Sequence, residues 1–93
     1  MSEKQIEQKF VKAVKAVGGI APKLVCPGFD GMPDRLVLLP DSRIAFVEVK
    51  RCGMKPSALQ KSRHRLLRRL GFQVFVLDDI TQIGGIIDEI HSA

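Results

Sequence analysis

Gly31-Met32-Pro33-Asp34-Arg35, the apolar run Leu36-Val37-Leu38-Leu39, the turn Pro40-Asp41-Ser42-Arg43 and then Ile44-Ala45-Phe46-Val47-Glu48-Val49-Lys50 decide how this chain folds. Two apolar runs on either side of a short polar turn read as a β-hairpin. Successive strand side chains point to opposite faces, so Ile44, Phe46, Glu48 and Lys50 share one face and Ala45, Val47 and Val49 the other. The near-continuous apolar character predicts burial on both faces, hence helices against the sheet. Glu48 and Lys50 then project from an apolar strand, where a charge is costly unless it is paired or holds a metal. Asp34 opens the preceding strand, and hairpin pairing brings it toward Glu48. Pro33 lacks a donor and holds Met32 extended, which sets where Asp34 enters the sheet.

Upstream of the hairpin, Ile6, Phe10, Val14 and Val17 recur at helical spacing, which predicts a helix over Ser2 to Val17 that Gly18-Gly19 stops. On the helical wheel Glu3 falls inside the apolar stripe and Glu7 on its edge. Either acid can lean toward the core, and both are also the residues that a helix dipole favours near its N-terminus. Ile20 to Val25 reads as a strand whose Pro22 argues for an edge position. Lys23 there either lies over a site or guards the edge with its charge. Cys26 to Gly31 is a glycine-containing loop.

Downstream, Ser57 and Gln60 form a capping box that opens a second helix. Leu59, Leu66, Leu67 and Leu70 gather on one arc of it, and Lys61, His64, Arg65, Arg68 and Arg69 on the opposite arc. A basic arc without an acid suits a phosphate-facing helix, though a solvated surface helix shows the same segregation. Arg63 lies within the leucine arc and must snorkel or pair. Phe72 to Leu77 is a buried strand. Asp79 and Gln82 cap a last helix whose apolar stripe is Ile80, Ile83, Ile87 and Ile90. The predicted order is α-β-β-β-α-β-α, a mixed α/β domain with a central mixed sheet, and the 93 residues suffice for a single one.

No apolar run approaches bilayer length and no signal-peptide stretch opens the chain, so the expectation is a soluble, intracellular, cytoplasmic protein. Cys26 and Cys52 have no neighbours at metal-ligand spacing, which excludes a zinc site, and both are expected to be reduced. A formal net charge of +5 favours a polyanionic partner.

Two carboxylates held close together repel each other, and a hard divalent cation such as Mg²⁺ or Mn²⁺ relieves that repulsion. Asp34 and Glu48 fit this role, with the backbone carbonyl of Val49 as a third donor. Lys50, two residues beyond Glu48, can orient a water or stabilise developing negative charge. These are the parts of phosphodiester hydrolysis.

Pro33-Asp34 followed by Glu48-Val49-Lys50 resembles the PD-(D/E)xK nuclease superfamily, and the flanking Gly31 to Arg35 and Phe46 to Lys50 resemble its VRR-NUC branch, the virus-type replication-repair nucleases. The resemblance spans the first helix through the fourth predicted strand. It implies a restriction-endonuclease-like core, with Asp34 and Glu48 as metal ligands, Lys50 as the catalytic lysine and Gln60 contacting the site from the second helix. The family's first-helix acid maps to Glu7, with Glu3 as the alternative one turn away. Stand-alone members of this size resemble homodimeric nucleases acting on branched DNA, including four-way junctions, whereas larger proteins use the domain on flaps.

Each residue has a plainer reading when taken alone: Asp34 as a turn cap, Glu48 with Lys50 as an ion pair, Gln60 as a capping residue, His64 as a solvated or phosphate-contacting side chain. Their joint spacing favours a DNA endonuclease, with Lys23, Lys61, His64, Arg65, Arg68 and Arg69 as nucleic-acid contacts. The alternatives are a flap or nicking nuclease acting with a partner protein, and a DNA-binding module without catalysis. A symmetric dimer suits a two-fold symmetric junction, with the first strand or the isoleucine stripe of the last helix as its interface.

Overall fold

The hairpin forms in the expected place. In the computed structural model, which describes residues 1–93, β1 (Arg35–Leu39) pairs antiparallel with β2 (Arg43–Val49), placing Arg35 opposite Val47 and Leu39 opposite Arg43. The three-residue turn between them puts Asp41 and Ser42 at φ of 65° and 61°, the left-handed region that matches the twist of a hairpin. β3 (Gln73–Leu77) lies parallel to β2 on its other side, giving the order β1-β2-β3 with β2 central.

Three helices enclose this sheet. α1 (Glu3–Ala16) starts at a capping box in which Ser2 and Gln5 each satisfy the other's backbone N–H, and α2 (Ala58–Arg69) starts at the same device built from Ser57 and Gln60. α3 (Ile83–Ser92) follows a 3₁₀ turn, Ile80–Gln82, capped by Asp79. Strand alternation divides the interior in two. The face carrying Val37, Ala45, Val47, Val49 and Leu77 packs against Ile6, Phe10 and Val14 of α1 and the isoleucines of α3. The other face carries Phe46 and Val74 and packs against Leu67 of α2.

Three expectations are corrected. The segment from Ile20 to Val25 is not a regular strand: it touches β1 through two isolated bridges, Ile20 with Leu38 and Lys23 with Arg35. Pro22 removes the N–H that would continue the ladder, although its carbonyl accepts from Leu36 N at 3.1 Å. A Cβ on Gly19 would stand 2.6 Å from the Leu38 carbonyl oxygen, so glycine permits this close approach. Of the leucine arc of α2 only Leu67 is buried; Gln60 and His64 join it against the sheet, and Leu59 and Leu70 are 44% and 63% exposed. Finally, Ile83, Ile86, Ile87 and Ile90 are buried within this chain while Ile80 is exposed, so the isoleucine stripe serves the core and is not free for a partner. No helix is long and apolar enough to cross a membrane.

Candidate active site

The C-terminal end of β2 gathers the charged residues. One step beyond the Arg35–Val47 pair the antiparallel register sets Asp34 opposite Glu48, and opposed residues project to the same face. That face is the one under α2. Asp34 is held in place by its own Oδ2, which accepts the Val49 amide at 2.8 Å. The N–H and C=O of one strand residue point to the same edge, so the Val49 carbonyl is directed to the Asp34 side.

Glu48 is the most enclosed acid of the site, 1% exposed. Its Oε2 accepts from Gln60 Nε2 at 3.3 Å and lies 3.8 Å from Lys50 Nζ. Its Oε1 is buried without a hydrogen-bond partner. Burial, and then the adjacent Asp34 carboxylate, push the Glu48 carboxyl up to about 8; Lys50 opposes the rise and Glu3 adds to it. At neutral pH the Glu48 carboxyl therefore favours its protonated form, a condition that a bound cation would reverse.

α2 brings two side chains to Glu48. Gln60 works from both ends of its amide: Oε1 accepts from Ser57 N at 2.8 Å to complete the cap, while Nε2 reaches Glu48. The capping and site readings of Gln60 are thus one geometry. His64, expected on the exposed basic arc, is 3% exposed, and its Nε2 stands 3.6 Å from Glu48 Oε1 without a hydrogen-bond partner. Burial, then the charges of Arg68 and Lys50, hold its imidazole below the ordinary range against the opposing pull of Asp34. The physical reason for the correction is the sheet surface, where Glu48 presents a polar group and the helix turns its polar edge toward it.

The two acids of α1 separate. Glu7 accepts from Arg35 Nε at 2.8 Å, and Arg35 also donates to the Ala21 carbonyl at 3.0 Å. Arg35 alternates with Asp34 and projects to the α1 side of the sheet, so its partner Glu7 is committed there. Glu3, in the first turn, lines a cavity with Lys50 and is the α1 acid whose charge acts on Glu48. Of the two, Glu3 therefore stands at the Glu48–Lys50 end of the sheet, and Glu7 is paired with Arg35 away from it.

Arg63, the misfit of the leucine arc, clamps the loop that leads into Asp34: its Nε donates to the Asp30 carbonyl at 2.8 Å and its guanidinium lies 3.9 Å from the Phe29 ring centre. Gly31, at φ +88°, passes so close to α2 that a Cβ would meet Leu59 at 2.8 Å. Of the expected nucleic-acid contacts, Lys61, Arg65 and Arg69 are exposed on α2 and Lys23 on the sheet edge. Arg68 spends one nitrogen on the Val74 carbonyl at 2.8 Å, and His64 is inside the site.

Asp34 and Glu48 offer hard oxygen donors with one buried oxygen unsatisfied, which fits a Mg²⁺-like ion that keeps several of its waters. No third His, Cys, Asp or Glu joins them in a ready-made cage. Such a centre relies on water, the Val49 carbonyl and a substrate phosphate for its remaining donors.

No family model matches the sequence. The chain is 51% identical over 76 residues, 82% of each protein, to p44 of Acyrthosiphon pisum secondary endosymbiont phage 1, a protein provisionally named a nuclease. A solved VRR_NUC domain superposes with a TM-score of 0.88 at 33% identity, covering 95% of this chain and 97% of that one. With Asp34, Glu48 and Lys50 standing together at the end of β2, these likenesses show that the chain belongs to the VRR-NUC family of nucleases.

Proposed function

We propose that this protein is a divalent-metal-dependent endonuclease that hydrolyses phosphodiester bonds in structured or branched DNA, working as a homodimer. The observation that carries the reading is the convergence of Asp34, Gln60 and Lys50 on a buried Glu48 whose Oε1 is unpartnered. A bound Mg²⁺ or Mn²⁺ would supply Lewis-acid stabilisation of the phosphate and lower the pKa of a coordinated water. Asp34, Glu48 and the Val49 carbonyl would hold it. The Val49 amide keeps Asp34 in position, and Gln60 orients Glu48 by its amide donor. Lys50, 20% exposed at the rim, is placed to orient the attacking water and to stabilise the negative charge that builds on the phosphoryl oxygens. Glu3 faces the same opening. Lys61, Arg65 and Arg69 on α2 would bind flanking phosphates.

Branched substrates and dimerisation follow from size and symmetry. A small domain with an open site grips a duplex poorly alone, and two copies would present two sites to a two-fold symmetric junction. With the α3 stripe buried, the exposed Ile20 and Val25 of the edge segment are the surface for a second copy. The test is a panel of labelled single-stranded, nicked, flap and four-way DNA with Mg²⁺ or Mn²⁺, comparing wild type with Lys50→Ala. Equal cutting by both proteins would refute the mechanism, and equal rates on all four substrates would refute the structural preference.

A further inference from the structure

The solvent-facing arc of α1 carries Lys4, Lys9, Lys12 and Lys15 together with Gln5 and Gln8, and no acid. At 100° per residue these six cover one side of the helix, while Glu3 and Glu7 fall on the core side with Ile6 and Phe10. Lys9, Lys12 and Lys15 follow each other at three-residue steps, which places like charges side by side, an arrangement unfavourable by itself. An ordinary solvated helix relieves it with interspersed acids. This one does not.

Three grooves connect this arc to the catalytic end of the sheet. The first, about 510 Å³, is lined by Lys9, Lys12, Lys15, Arg35 and the two glutamines, with Val11 its one apolar residue. It shares Gln8 and Arg35 with a second groove that adds Lys23, Lys4 and Glu3. That groove shares Glu3 and Lys4 with a third, which contains Lys50, Arg51 and Lys55. The result is a continuous basic trough from the middle of α1 to Lys50. Its acids are Glu7, already held by Arg35, and Glu3 at the site.

We infer that this trough is a phosphate track that carries one arm of a DNA duplex into the active site. It is separate from the basic face of α2, which lies on the opposite side of the sheet. The inference rests on the nuclease reading for the identity of the polyanion. The fourteen residues of α1 extend over roughly 21 Å, the axial length of about six base-pair steps at 3.4 Å each, so the helix can lie alongside about half a turn of duplex. Lysine ammoniums track phosphates without reading bases, and the glutamine amides can bond phosphate or sugar oxygens. Two basic flanks on opposite faces with one site between them would hold two duplex arms at an angle, which suits a branch point better than a straight duplex.

The test is binding with EDTA in place of the metal, measured by fluorescence anisotropy on a labelled duplex and a labelled four-way junction over a range of salt. The proteins are wild type, the triple variant Lys9→Gln, Lys12→Gln and Lys15→Gln, and the α2 triple variant Lys61→Gln, Arg65→Gln and Arg69→Gln. All six positions are on the surface, and circular dichroism checks that each variant is folded. The α1 variant should bind the junction at least about tenfold more weakly, with the slope of log K against log salt smaller in magnitude by about 2 to 3. Full affinity with an unchanged slope would overturn the proposal. So would a loss of affinity that light scattering traces to a broken dimer. Cleavage by wild type is measured in parallel: its absence would refute the nuclease reading and leave the binding result standing.

Discussion

Glu48→Gln separates the electrostatics of the site from its packing. The amide is isosteric with the carboxyl, keeps an oxygen for the Gln60 donor and adds no charge beside Asp34. In wild type the folded state holds a proton on Glu48 up to about pH 8, whereas the unfolded chain releases it near 4.5. Between those values the unfolded state binds fewer protons, so the stability of the metal-free protein falls as pH rises and levels off above about 8. At 1.36 kcal/mol per pH unit the full displacement amounts to at most about 5 kcal/mol, and allowing half for solvent relaxation leaves about 2 to 3 kcal/mol. For a domain of this size that is a melting shift of about 10–20 °C. His64, with its lowered pKa, contributes in the opposite sense below about pH 6.5, and because it faces Glu48 at 3.6 Å the comparison is read above that pH, where the imidazole is neutral in both states. Thermal unfolding followed by circular dichroism, in EDTA, should show Glu48→Gln gaining on wild type steadily from about pH 6.5 to about pH 8. Added Mg²⁺ at the upper end should restore wild type and leave the variant unchanged. Parallel curves for the two proteins across this range would refute the picture of a buried Glu48 carboxyl held protonated beside Asp34.

Lys50→Met should lower cleavage by at least about 100-fold while DNA affinity stays within a few-fold of wild type, the mark of a residue acting on the reaction rather than on binding. Glu3→Gln should raise the metal concentration needed for half-maximal cleavage without altering the melting temperature. Glu7→Gln should do the reverse, because Arg35 loses its partner, and should cost about 1 kcal/mol, a melting loss of about 4–8 °C. If Glu7→Gln raises the metal requirement and Glu3→Gln does not, the assignment is wrong. Gln60→Ala should lose its half of the capping box, the bond from Ser57 N, at up to about 1 kcal/mol, and also cleavage, whereas Gln60→Glu should keep that bond and still lose cleavage, since a third carboxylate then faces Glu48. Melting and single-turnover rates measured on the same samples would separate the two roles.

Much of this protein is written in contacts a few residues long. The Ser57–Gln60 capping box, the glycine stop after α1, the hairpin around Pro40 to Ser42 and the alternation that sets Glu48 and Lys50 on one face all depend on near neighbours, and all appear in the structure as read; the Ser2–Gln5 box that opens α1 is equally local but became visible only in the structure. The pairing of Asp34 with Glu48 is equally legible, because a hairpin's register follows from its turn. Outcomes that depend on another element were not legible in this way. Periodicity showed that α2 has a leucine arc and a basic arc, but the rotation of the helix is decided by what the sheet presents. Glu48 drew Gln60 and His64 inward and left Leu59 and Leu70 in solvent. Likewise Glu3 and Glu7 lie on nearly one face of α1, and only the projection of Arg35 to the α1 side of the sheet commits Glu7 to an ion pair and leaves Glu3 facing the site. Sequence determined α1, the hairpin, the start of α2 and the alternation along β2, because hydrogen bonds and side-chain alternation act over a few residues. Tertiary structure decided which acid and which histidine reach the site, because a buried charge takes its partners from whichever chain segments packing brings within a few ångströms.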